Sequence, residues 1–180
     1  MKIVGISGSI RNKSFNTLLL SAAAQFLPQN ADFVMLAIDR LDHYNEDLDS
    51  DRKPPEVSIF LREIESASVI LFASPEYNHS MPGVLKNAID WASRPAFKSP
   101  LLNKPCGILT ASMSQVGGAR AQADLKNVLL STLSRIYPAN EYLLPNAHEK
   151  FDAEGRLIDA TALRRLKRYV EGLVAWANVE

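Results

Sequence analysis

A polar stretch near the start of the chain, Gly5-Ile6-Ser7-Gly8-Ser9-Ile10-Arg11-Asn12-Lys13-Ser14-Phe15-Asn16, concentrates groups suited to holding a phosphate. Ser7, Ser9 and Ser14 offer hydroxyls, Asn12 and Asn16 offer amides, and Arg11 offers a planar fork of donors. Gly8 lets the backbone turn without a Cβ penalty. The apolar run Ile3 to Ile6 reads as a buried first strand, and Thr17 to Leu27 as a helix. Asn16 stands where a helix N-cap belongs, so free N–H groups and the positive helix end are expected to face the loop. The chemistry this favours is retention of a phosphate monoester at the end of strand one. The same composition also opens many purely structural strand–helix units, so the loop alone leaves both readings open.

Competing motifs fail on their spacing. A dinucleotide fingerprint needs three glycines, and only Gly5 and Gly8 are present. No Gly-Lys-Ser/Thr triplet occurs, which excludes a Walker P-loop. Gly5-Ile6-Ser7-Gly8-Ser9 misses the nucleophile elbow because Ser9 replaces its last glycine. A cysteine-based phosphatase loop would need a thiol here, and none is present.

Two further polar loops follow apolar runs of strand length. Pro75-Glu76-Tyr77-Asn78-His79-Ser80-Met81-Pro82-Gly83 comes after Ser68 to Ala73. Its prolines stiffen it, Tyr77 offers a flat surface for a planar ligand, and Asn78 with the N–H groups of 76 to 78 suits carbonyls and ring nitrogens. The alternative is a proline-rich surface loop that merely starts the next helix. Ser112-Met113-Ser114-Gln115-Val116-Gly117-Gly118-Ala119-Arg120 comes after Pro105 to Ala111. Gly117-Gly118 permits close approach of a ligand to the backbone, or serves simply as a flexible helix start. Arg94 and Arg120 suit either ligand binding or a subunit contact. His79 has no carboxylate or cysteine partner by spacing and reads as a rim residue. His43, His79 and His148 show no metal-ligand spacing.

The elements that must position these loops alternate. Ala31 to Ile38 reads as a second strand, Asp39 to Pro55 as an acidic surface loop, and Glu56 to Ser66 as a helix with Val57, Phe60, Leu61 and Ile64 on one face. Val84 to Ser93 and Ala119 to Ser134 read as helices, Glu141 to Leu144 as a short fifth strand at an edge, and Ala160 to Ala177 as a closing helix. Continuous apolar runs such as Ser68 to Ala73 suit strands covered on both faces. The alternation implies one α/β domain over residues 1–180, a five-stranded parallel sheet with helices on both faces. In the order 2-1-3-4-5 the strands before the three loops are adjacent, and ligands bind such sheets beyond the strands' carboxyl ends.

Composition narrows the function classes. The 180 residues suit one domain with a sizeable core, and 47% apolar and 22% charged residues are ordinary for a soluble protein. Twenty basic and twenty acidic residues cancel, giving no electrostatic reason to expect nucleic acid or an anionic membrane. The one cysteine, Cys106, rules out an internal disulfide and a thiolate metal cluster, and reads as an inert buried thiol. The start lacks a signal-peptide pattern and no apolar run spans a bilayer, so the expected location is cytoplasmic.

Three segments carry a family resemblance. Gly8-Ser9-Ile10-Arg11-Asn12-Lys13-Ser14-Phe15-Asn16 resembles a G-S-x-R-x-x-S-x-N phosphate loop. Pro75 to Trp91 is similar to a P-E-Y-N-x-S-x-P-G-x-L-K-N-A-I-D-W signature, and Gly117 to Gln122 to G-G-x-R-A-Q. These belong to the NAD(P)H-dependent FMN reductases and quinone or chromate reductases. The resemblance covers nearly the whole chain. Met113-Ser114-Gln115-Val116 departs from it, since many relatives have a shorter turn bearing glycine or proline.

The resemblance implies a flavodoxin-like three-layer sandwich. It implies FMN phosphate on Ser9, Arg11, Ser14, Phe15 (through its backbone) and Asn16, and the isoalloxazine against Pro75, Glu76, Tyr77 and Asn78, flanked by Ser112 and Gly117. It also implies NADPH or NADH as co-substrate and a homodimer or homotetramer with flavin near a subunit interface. The activity it implies is ping-pong hydride transfer through FMN to quinones, with chromate, azo or nitro compounds as further small acceptors and no protein acid or base required. An FMN-binding electron carrier without NAD(P)H oxidation is the rival. Such carriers tend to be strongly acidic, whereas this chain is balanced. An FMN-free interaction domain is a third reading, disfavoured by the phosphate loop.

Overall fold

The computed structural model describes residues 1–179. β1 (Lys2–Ser7), β2 (Asp32–Leu36), β3 (Val69–Ser74), β4 (Pro105–Ala111), β5 (Arg135–Ile136) and β6 (Tyr142–Leu144) form one sheet. The helices are α1 (Phe15–Ala24), α2 (Pro55–Ser66), α3 (Gly83–Ala92), α4 (Ala119–Ser131) and α5 (Ala160–Ala177). Every strand pairing is parallel, and the main path runs β2-β1-β3-β4-β5. The expected order therefore holds, giving a flavodoxin-like sandwich.

The fifth position differs from expectation. Instead of one strand, β5 pairs with Pro105 and Cys106 at the start of β4, while β6 pairs with Leu109 to Ala111 at its end. The expected fourth helix ran to Ser134. It stops at Ser131, and Leu133 adopts a positive φ of 62° that turns the chain into β5. Between the two strand pieces the N–H of Ile108 has no ladder partner and donates to the Tyr169 hydroxyl at 2.8 Å.

The core lies in two layers. Leu19, Leu20 and Ala23 of α1 and Leu166, Val170 and Leu173 of α5 cover one face of the sheet. Val57, Phe60 and Ile64 of α2, Leu85 and Ile89 of α3, and Leu125 and Leu129 of α4 cover the other. β3, in the middle, is buried at all six residues, which explains its unbroken apolar character. Caps mark the helix starts. Asp159 accepts from the Ala162 N–H at 2.7 Å, and prolines 54 and 55 open α2 where missing N–H groups cost nothing. No helix among the described residues is long and apolar enough to cross a membrane.

Candidate functional site

The first loop leaves β1 at Ser7 and is knitted by its own hydroxyls. Ser7 Oγ accepts from Thr17 Oγ1 at 2.9 Å and from the Ser9 N–H at 3.3 Å. The Gly8 N–H donates to Ala73 O at 2.8 Å, tying the loop to the end of β3. Lys13 takes a left-handed φ of 55°, and the Ser14 N–H closes back on Arg11 O at 3.2 Å. Arg11, Asn12 and Lys13 are exposed. The Arg11 guanidinium lies 5.5 Å from the Phe15 ring centre and, among the described residues, donates only to Asn12 O, at 3.3 Å, leaving most of its fork available. Phe15 in turn stacks on Phe151 at 5.6 Å.

The helix cap is Ser14, not Asn16 as the sequence suggests. Ser14 Oγ accepts the Asn16 N–H at 3.2 Å and is almost fully buried. As an acceptor there, its hydroxyl keeps its own proton to donate. The Asn16 side chain points inward, and both its polar atoms are spent on the Ala111 peptide at the end of β4. Asn16 thus fixes the loop against the sheet. A cavity of about 380 Å³ flanks the loop toward β2, bordered by Ser7, Ser9, Arg11, Lys13, Thr17 and Met35. Lys13 and Thr17 were not among the expected site residues. The cation beside Arg11 and a hydroxyl one turn into the helix were the available signals.

The second loop ends in a tight hairpin. Tyr77 and Ser80 exchange backbone bonds of 2.9 and 3.0 Å, with Asn78 and His79 both at positive φ, 51° and 67°, as a type I′ turn requires. Tyr77, Asn78 and His79 are exposed at its tip, and Pro75 is half-buried at its base. The Glu76 carboxylate turns to α4. One oxygen accepts the N–H groups of Arg120 and Ala121 at 3.0 and 3.3 Å, and the other the Arg120 guanidinium at 3.0 Å. Burial works against this charge, but the Arg120 side-chain bond and the two backbone N–H groups outweigh it and hold the carboxyl below its usual range. Arg120, left open by the sequence, is thereby the partner of Glu76.

The third loop is fastened to β6, with the Ser112 N–H on Leu144 O at 3.0 Å. Gly117 and Gly118 have φ of 68° and 87°. A Cβ on Gly118 would stand 2.9 Å from Thr110 Cβ, and one on Gly117 3.1 Å from Leu143 Cβ. The turn is therefore closed to larger residues by its packing as well as its backbone. Ser112 and Ser114 share a hydroxyl bond of 3.0 Å, while Met113 and Val116 are exposed at the rim.

Part of the long motif serves the neighbouring loop instead. Asn87 accepts the Tyr44 N–H at 2.7 Å and donates to Asp42 O at 3.0 Å, and Trp91 Nε1 donates to the same carbonyl at 2.7 Å. Arg94, also left open, lies over the Tyr44 ring at 5.2 Å. Cys106 is fully buried, and burial raises its thiol to about 12, so it is inert as expected. No cluster of three metal-ligating side chains occurs among the described residues.

The three loops thus adjoin at the carboxyl ends of β1, β3 and β4. The arrangement combines a cationic, hydroxyl-lined loop at a helix start, an exposed aromatic hairpin and a glycine turn with little room beside it. That donor set fits a phosphorylated planar cofactor such as FMN.

Sequence and structure comparisons agree with this fit. A family described as NADPH-dependent FMN reductase matches residues 1–149. An NAD(P)H-dependent FMN reductase of Pseudomonas aeruginosa is 41% identical, covering 99% of this chain and 96% of the relative. A 2-hydroxy-1,4-benzoquinone reductase of a Burkholderia species is 36% identical over 99% of this chain and 97% of its own. Among solved structures, the flavoenzyme NAD(P)H:(acceptor) oxidoreductase FerB of Paracoccus denitrificans superposes with a TM-score of 0.89 at 34% identity, covering 98% and 96% of the two chains. The chain belongs to the NADPH-dependent FMN reductase family.

Proposed function

We propose that this chain is an FMN-dependent NAD(P)H oxidoreductase whose electron acceptors are quinones and other small molecules. The observation that carries the reading is the exposed Arg11 guanidinium over a loop whose hydroxyls and N–H groups converge at the start of α1. Ser9, Arg11 and Ser14, with the backbone at Phe15, hold the phosphate. Asn16 acts by keeping that loop against β4. Pro75, Tyr77 and Asn78 form the platform for the ring, Glu76 fixes that platform to α4, and Ser112 and Gly117 close the far side.

When bound, FMN supplies two-electron chemistry between a reduced pyridine nucleotide and an acceptor. The protein's part is to bind, orient and leave one ring face open, a task that requires no acid–base pair. NAD(P)H and the acceptor use that open face in turn, giving ping-pong kinetics. Chromate, azo and nitro compounds are acceptors by the same route. We place the protein in the cytoplasm, as a homodimer or homotetramer binding neither nucleic acid nor membrane. The balanced charge, twenty basic against twenty acidic residues, favours this over an electron carrier docking through an acidic face.

The test is the absorption spectrum of the purified protein, repeated after anaerobic addition of NADPH and then NADH. Bleaching of a flavin band by either donor supports the reading. A flavin band that neither donor bleaches favours the electron carrier. No flavin, even after incubation with FMN, overturns both.

A further inference from the structure

The hairpin that carries Tyr77 and Asn78 has few attachments of its own. Among the described residues, neither the Tyr77 hydroxyl nor the Asn78 amide makes an internal hydrogen bond, and both residues are exposed. Its backbone is held across only one pair of residues, Tyr77 and Ser80. Each end of the segment is nevertheless fastened by a side chain to the same helix. At residue 76 the carboxylate grips the first turn of α4 through Arg120 and Ala121. At residue 80 the hydroxyl donates to Oδ2 of Asp124, one turn further along that helix. α4 is a firm anchor. Leu125 and Leu129 are fully buried, and Gln122 Nε2 donates to Ile108 O and Tyr142 O on the sheet at 3.2 and 3.3 Å.

We propose that Asp124 is a positioning residue for the cofactor platform, acting through Ser80 to set the pose of the Tyr77–Asn78 hairpin. It rests on the reading of residues 75–78 as the platform for FMN. The Asp124 carboxylate fixes the far end of the hairpin while Glu76 fixes the near end, so the tip between them is held at two points. A group that binds a ring must be held within a fraction of an ångström, and such precision comes from the residues behind it.

The experiment uses apoprotein of the full chain, Asp124→Ala, Ser80→Ala and the double variant, each titrated with FMN by quenching of flavin fluorescence. Loss of a charge-assisted bond at this place is expected to weaken FMN binding about tenfold in either single variant. The visible spectrum of the bound flavin should move toward that of free FMN, a signature that mere loss of fold stability does not give. Because one bond is removed from either side, the double variant should be no worse than the singles. Wild-type affinity and spectrum in the single variants, or additive losses in the double, overturn the proposal. Ser80→Ala decides the matter if Asp124→Ala does not fold. Wild-type protein that takes up no FMN removes the functional reading itself, before any variant is compared.

Discussion

Asn16 and Ala111 exchange two hydrogen bonds across the carboxyl end of the sheet. The Asn16 amide nitrogen donates to Ala111 O at 3.0 Å, and the Ala111 N–H donates to Asn16 Oδ1 at 2.9 Å. The pair locks the start of α1 to the end of β4 and satisfies both backbone groups of Ala111 there. Asn16→Ala strands both in a buried setting, and each stranded group costs about 1–3 kcal/mol. Urea unfolding should show a midpoint drop of that order. An unchanged midpoint would mean that water replaces the amide at no cost.

Arg11 is expected to matter for the ligand and not for the fold. It is exposed, and among the described residues its guanidinium makes one internal hydrogen bond, a long one of 3.3 Å. Arg11→Ala loses charge-assisted bonds to phosphate of about 1.5–3 kcal/mol, so FMN affinity should fall roughly ten- to hundredfold with thermal stability nearly unchanged. Titration with FMN, and with riboflavin as the phosphate-free control, checks this. Riboflavin binding should be insensitive to the substitution.

Glu76 gives the site a signed pH dependence. Its carboxyl is held below the ordinary value of 4.5, so the folded chain favours the charged form more than the unfolded chain does. That stability is fully present above 4.5 and is lost as pH falls through the lower folded value. Glu76→Gln should therefore be less stable than wild type at neutral pH, with the gap closing in acid. Melting temperatures of both proteins measured from pH 7 down to the acid transition test the sign. A gap that widens on acidification would contradict it.

Tyr169 is expected to stabilise through its hydroxyl alone. It receives the Ile108 N–H at 2.8 Å where the fifth strand position is interrupted. Tyr169→Phe keeps the ring packing against Tyr137 and Tyr142 but leaves a buried donor unpaired. The cost should be about 1–3 kcal/mol in denaturant unfolding, with no effect on FMN binding.

Cys106 should resist alkylation. Its thiol is fully buried and raised to about 12 by that burial, so little thiolate exists near neutrality. Iodoacetamide should label it only after denaturant unfolds the chain. Rapid labelling of the native protein would show that β4 opens locally.

Much of this architecture is written in the apolar runs. Pro105 to Ala111 and Ala160 to Ala177 appear as elements with the same limits in sequence and structure, because burial on both faces or a strong helical stripe leaves no alternative. Arg135–Ile136 was hidden for the opposite reason. Two residues behind a long helix carry no periodicity, and they are strand only because the start of β4 lies beside them. Ser14 and Asn16 are both good caps two residues apart, and local preference cannot rank them. Ala111, distant in sequence, decides by claiming the asparagine. Glu76, Arg120 and Asp124 were likewise visible as residue types, but their pairing depends on how α4 lies against the hairpin. Thr17 reads as an ordinary helix residue, because its place beside Ser7 depends on how α1 lies against the first loop.

The interrupted fifth position has a consequence for how the protein behaves among copies of itself. An open parallel sheet has two margins, and a long straight margin invites an extended segment from another molecule to add alongside it. Here one margin consists of a two-residue and a three-residue piece. The chain between them is outside the ladder, and a tyrosine hydroxyl takes the β4 N–H left between the two pieces. A foreign strand would find no run of aligned peptide groups there. That side of the sheet is blunted against fibril-like growth, which leaves β2 as the margin where self-association through strands would have to begin.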